Sequence, residues 1–227
     1  MFLELLDKDN EFYTKFLRSF SARSACSSIG IESDDDEFDF SNSILITNYM
    51  DAFDYTFSLE EIRSYNLLDI IKLLTDSEYD NYRKTDVMVN GSNRKRCLPR
   101  NIRMEILNLF DNYNNVWSLI EDPYLKEAFF HIKFLMIHPF GDGNGRMARL
   151  ITSYNLCNNS LAPIIITKNE KKEYCKYIEN YDYQGLANLF RRKSMEELKL
   201  MIRLFKQCET IDYTNAEKVL KKRKDRK

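Results

Sequence analysis

Turn formers are scarce in this chain, with six glycines and four prolines in 227 residues. Set beside 15 Phe and 14 Tyr, that shortage points to long helices and few tight turns. A formal net charge of −1 supplies no overall field to hold nucleic acid. No stretch approaches the ~18 apolar residues of a membrane span. The opening residues 1–10 are too acidic, and their apolar run too short, for an export signal. The five cysteines (Cys26, Cys97, Cys157, Cys175 and Cys208) are odd in number, scattered and free of any C-x-x-C pair, which reads as a reducing cytoplasm.

What is present is ordinary for a soluble globular protein: 44% hydrophobic and 30% charged residues favour neither disorder nor a fibrous class. The length fits one domain with at most a small appendage. Apolar residues at helical spacing (Phe12, Phe16, Leu17, Phe20) predict a helix ending near Cys26, and the acidic run Ser33 to Asp39 predicts a loop. Ser58 with Glu61 has capping-box form, so a helix is expected to begin near Leu59 and run through Leu67, Ile70, Ile71 and Leu74. Val87 and Val89 alternate with Met88 and Asn90, and Asn90-Gly91 is a strong hairpin signal, so one small β-hairpin is expected. Helical spacing resumes from Pro99 to Tyr113, and Leu125 to Ile137 is apolar on nearly every side, as in a helix buried within a bundle. Further helices are expected after Gly145, over 169–181 and over 183–208. The basic run from Lys218 to Lys227 reads as a solvated helix end.

The chemistry concentrates where the buried helix must stop. His138 precedes Pro139, which disfavours helix in the residue before it. Gly141, Gly143 and Gly145 then let the backbone bend so that several N–H groups point at one place, an anion nest. A helix starting at Asn144 or Gly145 adds its dipole, and Arg146 and Arg149 share one face of its first turn. Asp142 is the loop's only carboxylate, suited to a Mg²⁺ that phosphates would share. His138 stands beside the nest with a pKa suited to taking a proton from a hydroxyl. The spacing fits neither an EF-hand nor a P-loop. On these residues alone, a plain glycine-rich turn with a structural histidine competes evenly.

The segment His138-Pro-Phe-Gly-Asp-Gly-Asn-Gly-Arg-Met-Ala-Arg149 resembles the Fic family motif HxFx(D/E)GN(G/K)RxxR at every specified position. The likeness extends over about residues 10–205. It implies an all-α, Fic-fold helical bundle with a small β-hairpin flap, acting as a protein adenylyltransferase. By that resemblance His138 is the base and Phe140 a core anchor. Asp142 holds Mg²⁺, and Gly143, Asn144 and Gly145 form the anion hole. Arg146 and Arg149 hold the outer phosphates of ATP. Gly145, where kinase-like relatives carry Lys, favours transfer of AMP over transfer of phosphate. His131, one face of the helix with His138, reads as structural.

Many family members also carry an inhibitory (S/T)xxxE(G/N) helix whose Glu pairs with the second Arg of the motif. Ser28 to Glu32 resembles it, with Ser33 where Gly or Asn is usual. Ser33 to Glu37 and Thr56 to Glu60 match the first part of the pattern too, and context favours Glu32. Val87, Met88 and Val89 resemble the target-binding flap, Arg94 to Arg96 is open to an acidic target, and Tyr174-Cys175 aligns with an adenine contact. The expected division is 1–40 for the N-terminal helix with its inhibitory motif, 41–210 for the Fic domain (flap about 85–96, catalytic loop 138–149) and 211–227 for a basic tail. The expected partners are ATP and a target protein of unknown identity, with self-modification and homo-oligomer formation left open, and no nucleic acid or membrane. Removal of AMP, transfer of another nucleotide, and a silent nucleotide-sensing module are the alternatives.

Overall fold

The computed structural model describes residues 11–32, 40–76, 81–89, 92 and 94–224, with side chains described except over 40–42 and beyond 207. Eight α-helices lie among them: α1 (Glu11–Glu32), α2 (Phe40–Ser58), α3 (Asn66–Thr75), α4 (Ile102–Asp111), α5 (Pro123–Ile137), α6 (Asn144–Asn158), α7 (Lys171–Glu179) and α8 (Tyr183–Lys224). No strand occurs among the described residues. No helix among them is long and apolar enough to cross a membrane.

α5 is the central rod, as its all-round apolar surface requires. Pro123 opens it, and the Asp122 carboxylate accepts from the Tyr124 N–H at 3.1 Å, a cap that satisfies one otherwise orphaned donor. Ala128, Phe130, Ile132 and Phe134 are buried between α6, α8 and α4. Burying a phenylalanine such as Phe130 contributes roughly 2–3 kcal/mol, and its ring meets Phe110 and Tyr113 edge-on at 5.6 and 5.3 Å. α1 lies on the other side of α6, packed on α2 through Phe20 and Phe53. It is also tied down by polar contacts. Arg23 forms a two-pronged pair with Glu197 of α8 at 2.8 Å, and Ser27 Oγ donates to Ile166 O at 2.6 Å.

Three expectations change. The helix expected from Leu59 starts at Asn66, and residues 40–58, read as no element in the sequence, form α2. Ser58 does not cap a following helix because its Oγ turns back to Tyr55 O at 2.7 Å and closes α2. The β-hairpin is not a ladder among the described residues: 81–89 and 94–98 run without strand pairing, and Asn90 and Gly91 lie outside those residues. Side chains hold the flap instead, as shown below. The third change is at the far end, where the helix expected over 183–208 continues to Lys224, so that the basic run, read as a helix end, is helical through that residue. The acidic run 33–39, with Ser33 and Glu37, falls outside the described residues.

Candidate active site

The loop after α5 is built by conformational necessity. His138 sits in the left-handed region, φ 51° and ψ 62°, with its N–H donating to Phe134 O at 2.9 Å. For a residue with a Cβ this conformation costs roughly 1–2 kcal/mol, so neighbours must hold it. Arg83 does, its Nε donating to His138 O at 2.7 Å and its backbone N–H to Pro139 O at 2.9 Å. Beyond it, Asn144 Nδ2 donates to Phe140 O at 2.8 Å and Asn144 Oδ1 accepts from the Phe140 N–H at 3.1 Å. Phe140 is buried, as expected of an anchor, its ring 5.6 Å from Tyr82. Gly143 has φ 79°, and a Cβ there would lie 2.6 Å from Ile71 Cδ1. The positive φ favours glycine, and any larger residue would also have to push back the Ile71 side chain.

α6 then begins with Met147 N–H donating to Gly143 O at 2.9 Å. The N–H groups of Asn144, Gly145 and Arg146 precede that bond, so they have no acceptor within the helix and carry its positive dipole end. The nest is therefore made of backbone. The Asn144 side chain is not part of it, being used to clamp the loop.

Glu32, the last residue of α1, reaches across this helix start. Its Oε1 lies 2.8 Å from Arg149 Nη2 and its Oε2 2.9 Å from Arg146 Nε. Both guanidiniums are buried, whereas a third of the Glu32 side chain is open. Ser28, one turn back, fixes Arg149 from behind: Nε donates to Ser28 Oγ at 2.8 Å and Nη2 to Ser28 O at 3.0 Å. Gly145 leaves the room, since a Cβ there would stand 2.7 Å from Glu32 Oε1. Of the rival acids, Glu60 is exposed in the link between α2 and α3. The pairing of Glu32 with Arg146, the first arginine, was not anticipated.

Asp142 is largely exposed at the mouth of the nest, with Oδ1 accepting from the Gly143 N–H at 2.6 Å and Oδ2 from Arg146 Nη2 at 2.6 Å. No cluster of three or more His, Cys, Asp or Glu that could hold a metal exists among the described residues. One hard carboxylate oxygen beside a phosphate nest nevertheless fits Mg²⁺, which typically takes one or two protein carboxylates and completes its shell with phosphate and water.

His138 is half-buried. Burial, then the charges of Arg96 and Arg83, push its pKa down to about 4, against smaller opposing pulls from a hydrogen bond to the Leu135 backbone and from Asp142. The imidazole is therefore neutral at physiological pH and free to accept a proton. His131 is structural, as expected: fully buried, with Nδ1 2.8 Å from Thr152 Oγ1 and Nε2 2.6 Å from Tyr174 OH. That contact takes Tyr174 out of any open adenine surface, for it is 3% exposed while Cys175 is exposed.

Val87, Met88 and Val89 lie on the flap, and Met88 is 93% exposed. Two of the three cations after them, Arg94 and Arg96, are tied to α7, and Lys95 is exposed. Arg96 Nη2 pairs with Glu179 Oε1 at 2.8 Å, Arg94 Nε donates to Glu179 O at 3.1 Å, and Ser92 Oγ donates to Glu179 Oε2 at 2.5 Å. Glu179 and Arg83, neither singled out in the sequence, thus anchor the flap to the body.

An all-helical bundle that aims a helix N-terminus and two buried arginines at one point beside a neutral histidine is suited to a phosphate-bearing substrate. The chain carries a Fic/DOC family domain, which the family's model matches over residues 46–156. It is 31% identical over 119 residues to the protein adenylyltransferase Fic of Nematostella vectensis, covering 50% of this chain and 26% of that protein. It is 32% identical over 76 residues to the protein adenylyltransferase fic-1 of Caenorhabditis elegans, covering 34% of this chain and 15% of that one. The chain thus spans about a quarter or less of the length of these curated relatives. A Fic domain containing signaling protein from Bacteroides thetaiotaomicron shares the fold, with a TM-score of 0.75 at 16% identity, covering 89% of this chain and 94% of that one.

Proposed function

We propose that this chain transfers AMP from ATP to a hydroxyl of a protein, its own side chains included, and that Glu32 restrains it. The observation that carries this reading is the placement of Glu32 between Arg146 and Arg149, at the helix start that closes the loop after His138. A carboxylate held there occupies the cations that an incoming polyphosphate needs, so catalysis and restraint share one set of groups.

In the transfer, ATP phosphates take the backbone N–H groups of Asn144, Gly145 and Arg146, and the outer phosphates displace Glu32 from Arg146 and Arg149. The target hydroxyl gives its proton to the neutral His138 ring while its oxygen bonds to the α-phosphorus. The bond from that phosphorus to the bridging oxygen breaks, and pyrophosphate leaves. Asp142 would hold Mg²⁺, which supplies charge neutralisation on the phosphates. The protein's own contribution is positioning and fixed dipoles, as in phosphoryl transfers generally. The flap would lay the target segment beside the loop as an added strand, and the free edge it needs agrees with the lack of strand pairing there.

The test is to incubate the purified chain and its Glu32→Gly variant with each labelled nucleoside triphosphate and a cell lysate. Label transferred from α-labelled ATP to protein, and lost in His138→Ala, is the expected result. No transfer from any triphosphate by either protein would overturn the reading.

A further inference from the structure

Arg83 is buried between the flap and the catalytic loop, and its guanidinium serves carbonyls from three separate stretches of chain. Nη1 donates to Thr85 O at 2.6 Å and Nη2 to Cys97 O, one at each end of the flap. Nε donates to His138 O at 2.7 Å, and Nη2 also reaches Ile137 O at 3.4 Å. The backbone adds two ties between the same parts, Arg83 N–H to Pro139 O at 2.9 Å and Cys97 N–H to Met136 O at 3.2 Å.

The chemistry of these acceptors explains why an arginine is there. Ile137 and His138 end α5, and the last carbonyls of a helix lack partners and carry its negative dipole end. A planar fork of five donors can meet carbonyls arriving from several directions at once, which a compact ammonium cannot. His138 has a left-handed backbone, and fixing its carbonyl fixes the backbone from which the imidazole projects.

We propose that Arg83 is the positioning residue of the transfer reaction, locking the flap that presents the target hydroxyl to the loop that carries His138, so that acceptor and base keep one register. The catalytic part rests on the function proposed above, whereas the lock itself does not. The nest and its arginines belong to α6 and are tied to α1 and α3, so ATP binding does not pass through Arg83. Loss of the lock should therefore appear in turnover. A misplacement of about 1 Å between reacting groups can cost on the order of 10²-fold.

The cysteines provide the readout. Cys97 is half-buried at the flap's end, Cys157 is buried in α6, and Cys26 and Cys175 are exposed elsewhere. We would measure alkylation of each by peptide mass mapping in the parent, Arg83→Lys and Arg83→Gln. The same proteins would be assayed for kcat and KM with labelled ATP. The expected result is several-fold faster labelling of Cys97 in both variants, with Cys157 still protected and Cys26 and Cys175 unchanged. Turnover should fall about 10²-fold for Gln and less for Lys, with KM for ATP within about twofold of the parent. Unchanged Cys97 labelling would overturn the lock. So would opening of Cys157 in both variants, because Arg83 would then be serving the fold at large, and so would a loss confined to KM. If neither the parent nor Glu32→Gly transfers nucleotide, the proposed function fails, and the Cys97 rates still decide whether flap and loop are joined through Arg83.

Discussion

Asn144 and Phe140 exchange two hydrogen bonds, 2.8 Å from the Asn144 amide to Phe140 O and 3.1 Å from the Phe140 N–H to Asn144 Oδ1. Both groups are buried, so the side chain acts as a second backbone strand that closes the loop at the start of α6. Truncation leaves a buried donor and a buried acceptor without partners, at about 1–3 kcal/mol each. Asn144→Ala should lower thermal stability and should depress kcat more than it raises KM for ATP, because the nest's N–H groups remain. Calorimetry alongside steady-state kinetics would check this, and a variant as stable and as active as the parent would show the clamp to be idle.

The position of His138's titration gives a second prediction. A base works only when unprotonated, and a depressed pKa extends the neutral form to lower pH. With the imidazole pushed down to about 4 by burial, Arg96 and Arg83, kcat/KM should show no acid limb between pH 5 and pH 8. Arg96 is the charge that lowers the pKa most after burial, so in Arg96→Gln the limb should move to higher pH than in the parent. A parent enzyme with a limb at the ordinary histidine value near 6.5 would contradict the burial described here.

Glu127 offers a test of stability away from the site. It is fully buried in α5, takes a hydrogen bond from Tyr113 OH and another from Asn155 Nδ2 at 2.9 Å, and burial raises its pKa to about 7. The folded state then holds a proton that the unfolded chain releases near 4.5. This contribution to stability is full below about 4.5 and is lost as pH rises through about 7. Glu127→Gln keeps the shape without the titration, so the stability of the variant relative to the parent should improve from pH 5 to pH 8, by on the order of 2 kcal/mol. Denaturant unfolding at both pH values measures it. A difference that stays constant would mean that Glu127 is ionised throughout.

The catalytic loop was legible because its chemistry is local. Proline, three glycines and two arginines within 12 residues each impose a backbone or charge requirement that spacing alone expresses. Glu32 was legible as a pattern favoured by context, and the docking of α1 on α6 puts it on the two arginines while Glu60 lies exposed in the link between α2 and α3. Arg83 and Glu179 were not legible, because their partners lie 55 and 83 to 87 residues away in sequence. That Tyr174, aligned with an adenine contact, is buried was open to reading from the sequence. It and Ile178 are four apart on α7 and form that helix's buried face. α2 escaped notice because Ser58 and Glu61 mimic a helix start, and the side chain's turn back to Tyr55 is a three-dimensional choice.

The last prediction concerns the brake. Glu32→Gly should raise AMP transfer, self-modification included, because it removes two ion pairs at once, 2.8 Å to Arg149 and 2.9 Å to Arg146. Surface pairs contribute little, but these guanidiniums are buried and the Arg146 and Arg149 forks are held by further contacts to Leu74 O, Ser28 O and Ser28 Oγ. The arginines thus stay in place when the carboxylate leaves, ready for the outer phosphates, and the α-phosphorus can settle before His138. Because the phosphates replace a like-charged competitor and also gain alignment, KM for ATP should fall and kcat rise, the larger change in kcat if misalignment is the main restraint. Arg149→Ala in the same chain should cancel the gain. Glu60→Gly, on the exposed link, and Glu37→Gly should not reproduce it. Ser28→Ala should give a smaller gain than Glu32→Gly, since it loosens the hold on Arg149 and leaves the carboxylate. Incorporation of labelled AMP would be compared at equal concentration across the parent and these variants. An unchanged rate in Glu32→Gly would show that the carboxylate yields to ATP without cost, and the brake would have to be sought outside α1.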